Sequence, residues 1–203
     1  MSQKVYIASM NLRGKQANKI CETSLRLNVT SAQPKTNPDR LTFSPMSPVD
    51  GGYKGYWNFE SYWQSGKVFE DIPEEITKLY WKQLKEPKRR YPNSKNKKVL
   101  YANFDGHNKL NYIESRKLIY VPEYYNLINN TPRLNYWKDL LDKGYSVTIY
   151  DFDGPRDIDG EPICMEVDLE LLKNKINDTR FPFGHGYVIA SLLLDIDFKD
   201  YIV

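Results

Sequence analysis

The run Tyr187-Val188-Ile189-Ala190-Ser191-Leu192-Leu193-Leu194 constrains the fold more than any other stretch of the chain. A helix that is apolar on every side is stable only when neighbours cover it all round. The run therefore predicts a buried helix, and with it a folding unit large enough to enclose one. A length of 203 residues suits one domain with a real core. Sixteen Tyr and four Trp mean that much of this core consists of flat rings whose polar edges need partners. The expectation for residues 1–203 is a single compact α+β domain, helix-rich with a small β-sheet.

The other elements follow from period and punctuation. Val5 to Ser9 reads as a short strand, and Leu25 to Thr30 alternates apolar and polar as a half-buried strand does. Residues 31 to 56, rich in Pro, Gly, Asn and Ser, predict an irregular loop holding Phe43-Ser44-Pro45-Met46. A helix is predicted from Asn58 to Phe69, and a second from Pro73 with Ile76, Leu79, Tyr80 and Leu84 turned inward. Val99 to Phe104 predicts a strand closed by Asp105-Gly106, with His107 as a turn residue. Pro122 and Pro132 mark first helical turns, Thr131 is a natural cap, and Leu134, Trp137, Leu140 and Leu141 form the apolar face of the second of these helices. Gly144 ends that helix, and Tyr145 to Tyr150 forms a strand.

The stretch most suggestive of function is Asn58-Phe59-Glu60-Ser61-Tyr62-Trp63-Gln64-Ser65-Gly66-Lys67. On a continuous helix Glu60, Gln64 and Lys67 stand at i, i+4 and i+7, within an arc of roughly 60°. Phe59, Tyr62, Trp63, Gly66 and Phe69 fill the adjoining arc, so the polar strip borders the side to be buried, where a pocket wall would lie. A solvated face held by a Glu-to-Lys pair explains the same spacing.

Three further regions are candidates. Lys82, Lys85, Lys88, Arg89, Arg90, Lys95, Lys97 and Lys98 face a single acid, Glu86, in a segment broken by prolines. This is an exposed basic loop, either a solvated turn or a contact for phosphates through Lys88, Arg89 and Arg90, with Tyr91 to stack. Asp151 and Asp153 follow a strand, where carboxylates hold magnesium, activate water or bind a ribose, or simply make a turn. Arg180 and Gly184-His185-Gly186 precede the apolar helix; glycines there let backbone N–H groups approach a phosphate. His185 is a proton donor or a hydrogen-bonded turn residue.

A formal charge of +3 does not mark a nucleic-acid protein by itself. Cys21 and Cys164 have no metal-ligand spacing, which argues against a zinc site and for a reducing compartment. Met1-Ser2-Gln3-Lys4-Val5 lacks a signal-peptide core, and nothing approaches the ~20 apolar residues of a membrane span. A soluble, cytoplasmic protein with no membrane partner is expected.

The order of Phe43-Ser44-Pro45, Glu60-x-Tyr62-x-Gln64-x-x-Lys67, Gly144 before a strand and acidic turn, and Gly184-x-Gly186 before an apolar helix resembles the NADAR family of N-glycosidases. The likeness covers the chain from about residue 40 onward. The chain departs from that pattern in Ser61, where the family often has His, and in Phe183-Gly184-His185-Gly186-Tyr187, where Trp-Gly and a following Asn are expected. The Lys- and Asn-rich composition also resembles that of proteins from large DNA viruses or phages. The resemblance implies cleavage of a bond between a base-like nitrogen and ribose C1′ in an ADP-ribose-related or riboflavin-precursor-like riboside.

That chemistry needs a carboxylate near C1′ and a way to stabilise the leaving nitrogen. Glu60 is the expected carboxylate, Gln64 fixes a ribose hydroxyl, and Lys67 either orients Glu60 or acts as an amine nucleophile. Asp151 completes the catalytic candidates. Trp57, Tyr62 or Trp63 would stack on the base, and Arg180 with Gly184 to Gly186 would hold phosphate. The expected partner is a small nucleotide or ADP-ribosylated molecule, and no metal or redox cofactor is required. Two other readings use the same residues differently: a nucleic-acid-binding protein acting through residues 82–98, and a catalytically silent viral interaction protein with the same fold.

Overall fold

Elements from both ends of the sequence pack together, and a middle segment packs around a core of its own. The computed structural model describes residues 3–12 and 24–203. Cys21 lies outside the described residues. The class is the expected one, α+β, helix-rich with a small sheet. The chain packs as two compact units, residues 1–44 with 121–203, and residues 45–120.

In the first unit, β1 (Val5–Ser9), β2 (Ser24–Asn28), β5 (Ser146–Asp151) and β6 (Cys164–Glu166) form one sheet in the order β2-β5-β1-β6. β1 and β2 both pair parallel to β5, and β6 closes the edge antiparallel to β1. The carboxyl ends of β1 and β5 coincide, with Ser9 opposite Asp151. Inside the loop predicted for residues 31–56 a short helix forms, α1 (Pro38–Phe43), because Asn37 caps it and Pro38 suits its first turn. The Asn37 side chain accepts from the N–H groups of Asp39 and Arg40 at 2.9 and 3.1 Å.

Three helices of this unit surround the apolar run: α5 (Val121–Ile128), α6 (Pro132–Asp142) and α7 (Leu169–Asn177). Thr131 caps α6 as expected, but Pro122, expected in a first helical turn, does not start a helix, because residues 116–120 just before α5 are already helical. Leu134, Trp137 and Leu141 are buried, whereas Leu140 is half-exposed. Gly144 takes a φ of +90°, the left-handed conformation that ends a helix at little cost in glycine. The apolar run itself is α8 (His185–Leu193), every residue of which is buried. It packs on β1 and β5 and against α5, α6 and α7.

Gly154, just past β5, lies against the β1 backbone. A Cβ there would sit 2.5 Å from the Ala8 carbonyl oxygen and 2.5 Å from the Ser9 nitrogen. Backbone atoms in a sheet cannot rotate away as a side chain can, so Gly154→Ala is expected to destabilise the protein by about 2 kcal/mol, within the range for overpacking. Chemical denaturation of the two proteins side by side measures this difference.

The second unit contains α2 (Phe59–Ser65), β3 (Lys67–Phe69), α3 (Glu74–Gln83), β4 (Val99–Ala102) and α4 (Tyr112–Ser115). β3 and β4 pair antiparallel with an irregularity between Val68 and Phe69. A π-helical turn, Arg116–Tyr120, continues from α4. Tyr53, Phe59, Tyr62, Trp63, Phe104 and Tyr120 build its aromatic centre with ring centroids 5.0–6.2 Å apart.

Two expectations change here. The helix predicted over residues 58–69 ends at Ser65, Gly66 is its C-terminal cap, and Lys67 to Phe69 form a strand instead. A Cβ at Gly66 would lie 2.4 Å from the Phe104 ring, so glycine lets that ring close on the backbone. In α3 the inward positions are Thr77 and Trp81, at i and i+4, while Ile76 and Leu79 are 51% and 56% exposed. The large Trp81 side chain, with no exposure at all, sets the rotation of this helix.

Candidate functional site

Glu60 is placed by the cap of its own helix. Asn58 accepts from the Ser61 N–H at 2.8 Å and donates through Nδ2 to the Met46 carbonyl at 2.9 Å. The Glu60 N–H reaches the Pro45 carbonyl at 2.8 Å. One turn on, Gln64 Nε2 donates to Glu60 Oε1 at 2.7 Å, so the expected i,i+4 relation exists as a short hydrogen bond. Glu60 is half-buried and Gln64 buried. Ser61, the departure from the NADAR pattern, is buried, and its Oγ has no hydrogen-bond partner among the described residues.

Lys67 is reached by a different route from the one predicted. On β3 it stands opposite Ala102 of β4, and its Nζ lies 5.7 Å from the centroid of the Trp63 ring. Trp63 and Lys67 line a pocket of about 300 Å³ together with Val99, Leu100, Tyr101, Ala102, Tyr112 and Ser115. Trp63 stacks on Phe104 at 5.6 Å and 17° between planes, which fixes the indole in the wall. Tyr62, by contrast, packs into the ring cluster of Tyr53, Tyr56, Phe59 and Phe104 and is buried. Its ring is part of the core. Trp57 is half-buried just before the helix cap.

Tyr101, Tyr112 and Ser115 are pocket residues that sequence reasoning did not single out. Tyr112 and Ser115 stand on α4, whose start is written in the sequence as a capping box. Asn111 accepts from the Glu114 N–H at 2.9 Å, and Glu114 accepts from the Asn111 N–H at 2.8 Å. Asn followed three residues later by Glu was the signal for this helix.

The remaining candidates divide between the loop and the first unit. Lys88, Arg89 and Arg90 are exposed, as expected, and Lys88 pairs with Glu86 at 3.2 Å. Tyr91 is buried edge-on against Tyr80 at 5.1 Å, so it is not available to stack on a base. His107 is a turn residue whose N–H is held by Asp105 at 2.9 Å. Backbone N–H groups of Asn108 and His107 hold the Asp105 carboxyl down at about 2.

Asp151 closes β5 and is buried. Its Oδ2 accepts from the Gly186 N–H at 2.9 Å and lies 3.3 Å from His185 Nδ1. His185 Nε2 is 3.0 Å from the Val29 carbonyl oxygen. A Cβ at Gly184 would sit 2.6 Å from Asp151 Oδ2, so glycine permits the close approach. The amino end of α8, expected to receive a phosphate, is thus met by the protein's own carboxylate, a favourable partner for the helix dipole. Tyr124 packs edge-on to His185 at 5.9 Å and donates to the Phe43 carbonyl at 2.5 Å. Burial, and then the Asp151 charge, push the Tyr124 hydroxyl well above the usual phenol range. Arg180 is exposed and forked onto Asp178 at 3.0 and 2.9 Å, and Asp178 is lowered to about 2 chiefly by this contact. Asp153 is exposed.

Among the described residues no group of three or more His, Cys, Asp or Glu side chains is placed to hold a metal ion. Among them, too, no helix is long and apolar enough to cross a membrane.

The fold and these features define an α+β protein whose middle segment carries a carboxylate–amide pair and an aromatic pocket bordered by an ammonium. The chain belongs to the family of unknown function DUF6939, whose model matches residues 16–163. That span includes Glu60, Gln64, the pocket and Asp151, and stops short of Arg180 and the Gly184–Gly186 segment. No curated protein and no solved structure matches the chain.

Proposed function

We propose that the chain is an N-glycosidase-like hydrolase acting on an ADP-ribose-related or nucleotide N-riboside. The observation that carries this reading is the 2.7 Å hydrogen bond from Gln64 to Glu60 on the short helix whose Trp63 walls the pocket. In hydrolysis of such a bond, positive charge builds on the sugar ring as the C1′–N bond lengthens. Water then adds its oxygen to C1′, and a proton goes to the departing nitrogen. A carboxylate fixed near C1′ stabilises that charge more in the transition state than in the ground state. Glu60 supplies the carboxylate, and Gln64 holds one of its oxygens in place. Trp63, three residues on, is on the neighbouring face of the same helix and offers a ring for the base. Lys67 supplies positive charge at the pocket wall. The resemblance to the NADAR pattern at Glu60, Tyr62, Gln64 and Lys67 supports the same assignment.

The test is release of free base from ADP-ribosylated nucleotides and related N-ribosides by the full-length protein, followed by chromatography. Time-dependent release from at least one of them is expected, with a matching upward shift in Tm on ligand binding. Neither release nor a shift with any of the panel contradicts the proposal.

A further inference from the structure

Three aromatic rings lining the pocket each carry a cation. Lys67 Nζ lies 5.7 Å from the centroid of Trp63, Lys109 Nζ 4.7 Å from that of Tyr101, and Arg116 Cζ 4.3 Å from that of Tyr112. None of the lining residues is acidic. Tyr112 and Leu100 are 47% and 51% exposed, so the rim opens to solvent. Ser115 donates its hydroxyl to the Tyr112 carbonyl at 2.9 Å, which ties the two α4 residues of the wall together.

Flat walls desolvate a flat ring, and the Lys67 ammonium, which lines the pocket beside Trp63, raises the local potential for an anion. An ammonium is a compact point charge suited to phosphate oxygens. A volume of about 300 Å³ accommodates one ring system with one short charged substituent and is at the lower end for small-molecule pockets. We infer that this pocket binds a planar heteroaromatic ring carrying a single phosphate, a ligand of mononucleotide size, with Lys67 on the phosphate and Trp63, Tyr101 and Tyr112 around the ring. The inference deepens the reading above by naming the substrate portion that the pocket holds, and it rests on that reading for nothing but the bond to be cleaved.

Calorimetric titration of the full chain with AMP, adenosine and inorganic phosphate tests it without turnover. AMP is expected to bind at least about tenfold more tightly than either adenosine or phosphate, since one charge-assisted contact accounts for a factor of that size. Lys67→Met, which keeps the length of the side chain and removes its charge, is expected to weaken AMP about tenfold and leave adenosine within about twofold. Tyr112→Ala, at an exposed position, is expected to weaken both AMP and adenosine by a similar factor. Equal affinity for AMP and adenosine, absence of AMP binding, or unchanged AMP affinity in Lys67→Met overturns the inference. The two proposals fail separately. AMP binding intact with no release of base from any N-riboside removes the glycosidase assignment alone, whereas turnover without AMP binding removes the pocket assignment alone.

Discussion

Asp39→Ala is expected to lower the unfolding free energy by about 3 kcal/mol, the low end for removing one partner of a buried ion pair. Asp39 is 8% exposed and receives three donors: Arg133 Nε at 2.6 Å, Arg133 Nη2 at 3.1 Å and the Trp137 indole N–H at 2.7 Å. The hydrogen bonds that Arg133 donates to Asp39 also raise its guanidinium above the ordinary value, although burial opposes this. Removing the carboxylate leaves the buried indole N–H without its acceptor and a half-buried guanidinium without its counter-charge. Arg133 still reaches water in part, which keeps the loss from being larger. At roughly 2–4 °C per kcal/mol for a chain of this size, Tm is expected to fall by about 6–12 °C. A change below about 1 °C would show that the pair contributes nothing net. Asp39→Asn, which keeps an acceptor but loses the charge, is expected to fall between Asp39→Ala and the parent.

This network was not legible in the sequence, because nothing in the letters ties residue 39 to residues 133 and 137. What the sequence did convey was local. The β1 strand has the predicted ends, Thr131 caps its helix, Gly144 ends it, and the all-apolar run from residue 187 is the enclosed α8. Period and caps are short-range signals, and short-range interactions decide these features. The parallel pairing of β1 and β2 with β5 is a long-range outcome that strand patterns do not encode.

The candidate site shows the same division. Glu60 and Gln64 meet because i and i+4 meet on any helix. Lys67 is not on their strip, because Gly66 breaks the helix and Val68 and Phe69 find partners in β4. The residue identities favoured a strand, but the helical spacing of Glu60, Gln64 and Lys67 concealed it. Tyr101 entered the pocket through the register of β3 with β4, which pairs it with Val68 and is fixed by tertiary contacts. Tyr62 and Tyr91 show the converse: aromatic residues beside polar motifs read as stacking platforms, yet both are core.

The central claim is that the Glu60 carboxylate, held by Gln64, stabilises a cationic transition state. Its most direct measurement is the turnover of Glu60→Gln relative to the parent on an N-riboside that the parent cleaves, with ligand affinity and Tm recorded on the same preparations. Glutamine keeps the size of the side chain and an oxygen that accepts from Gln64, so folding and ground-state binding are expected to change little. Loss of the charge removes an interaction that strengthens only as the sugar becomes cationic, so kcat is expected to fall at least about a hundredfold, equivalent to roughly 2.7 kcal/mol of transition-state stabilisation. A Glu60→Gln protein that turns over at the parent rate, with the same affinity and Tm, contradicts the claim and leaves Glu60 as a helix-surface residue paired with Gln64.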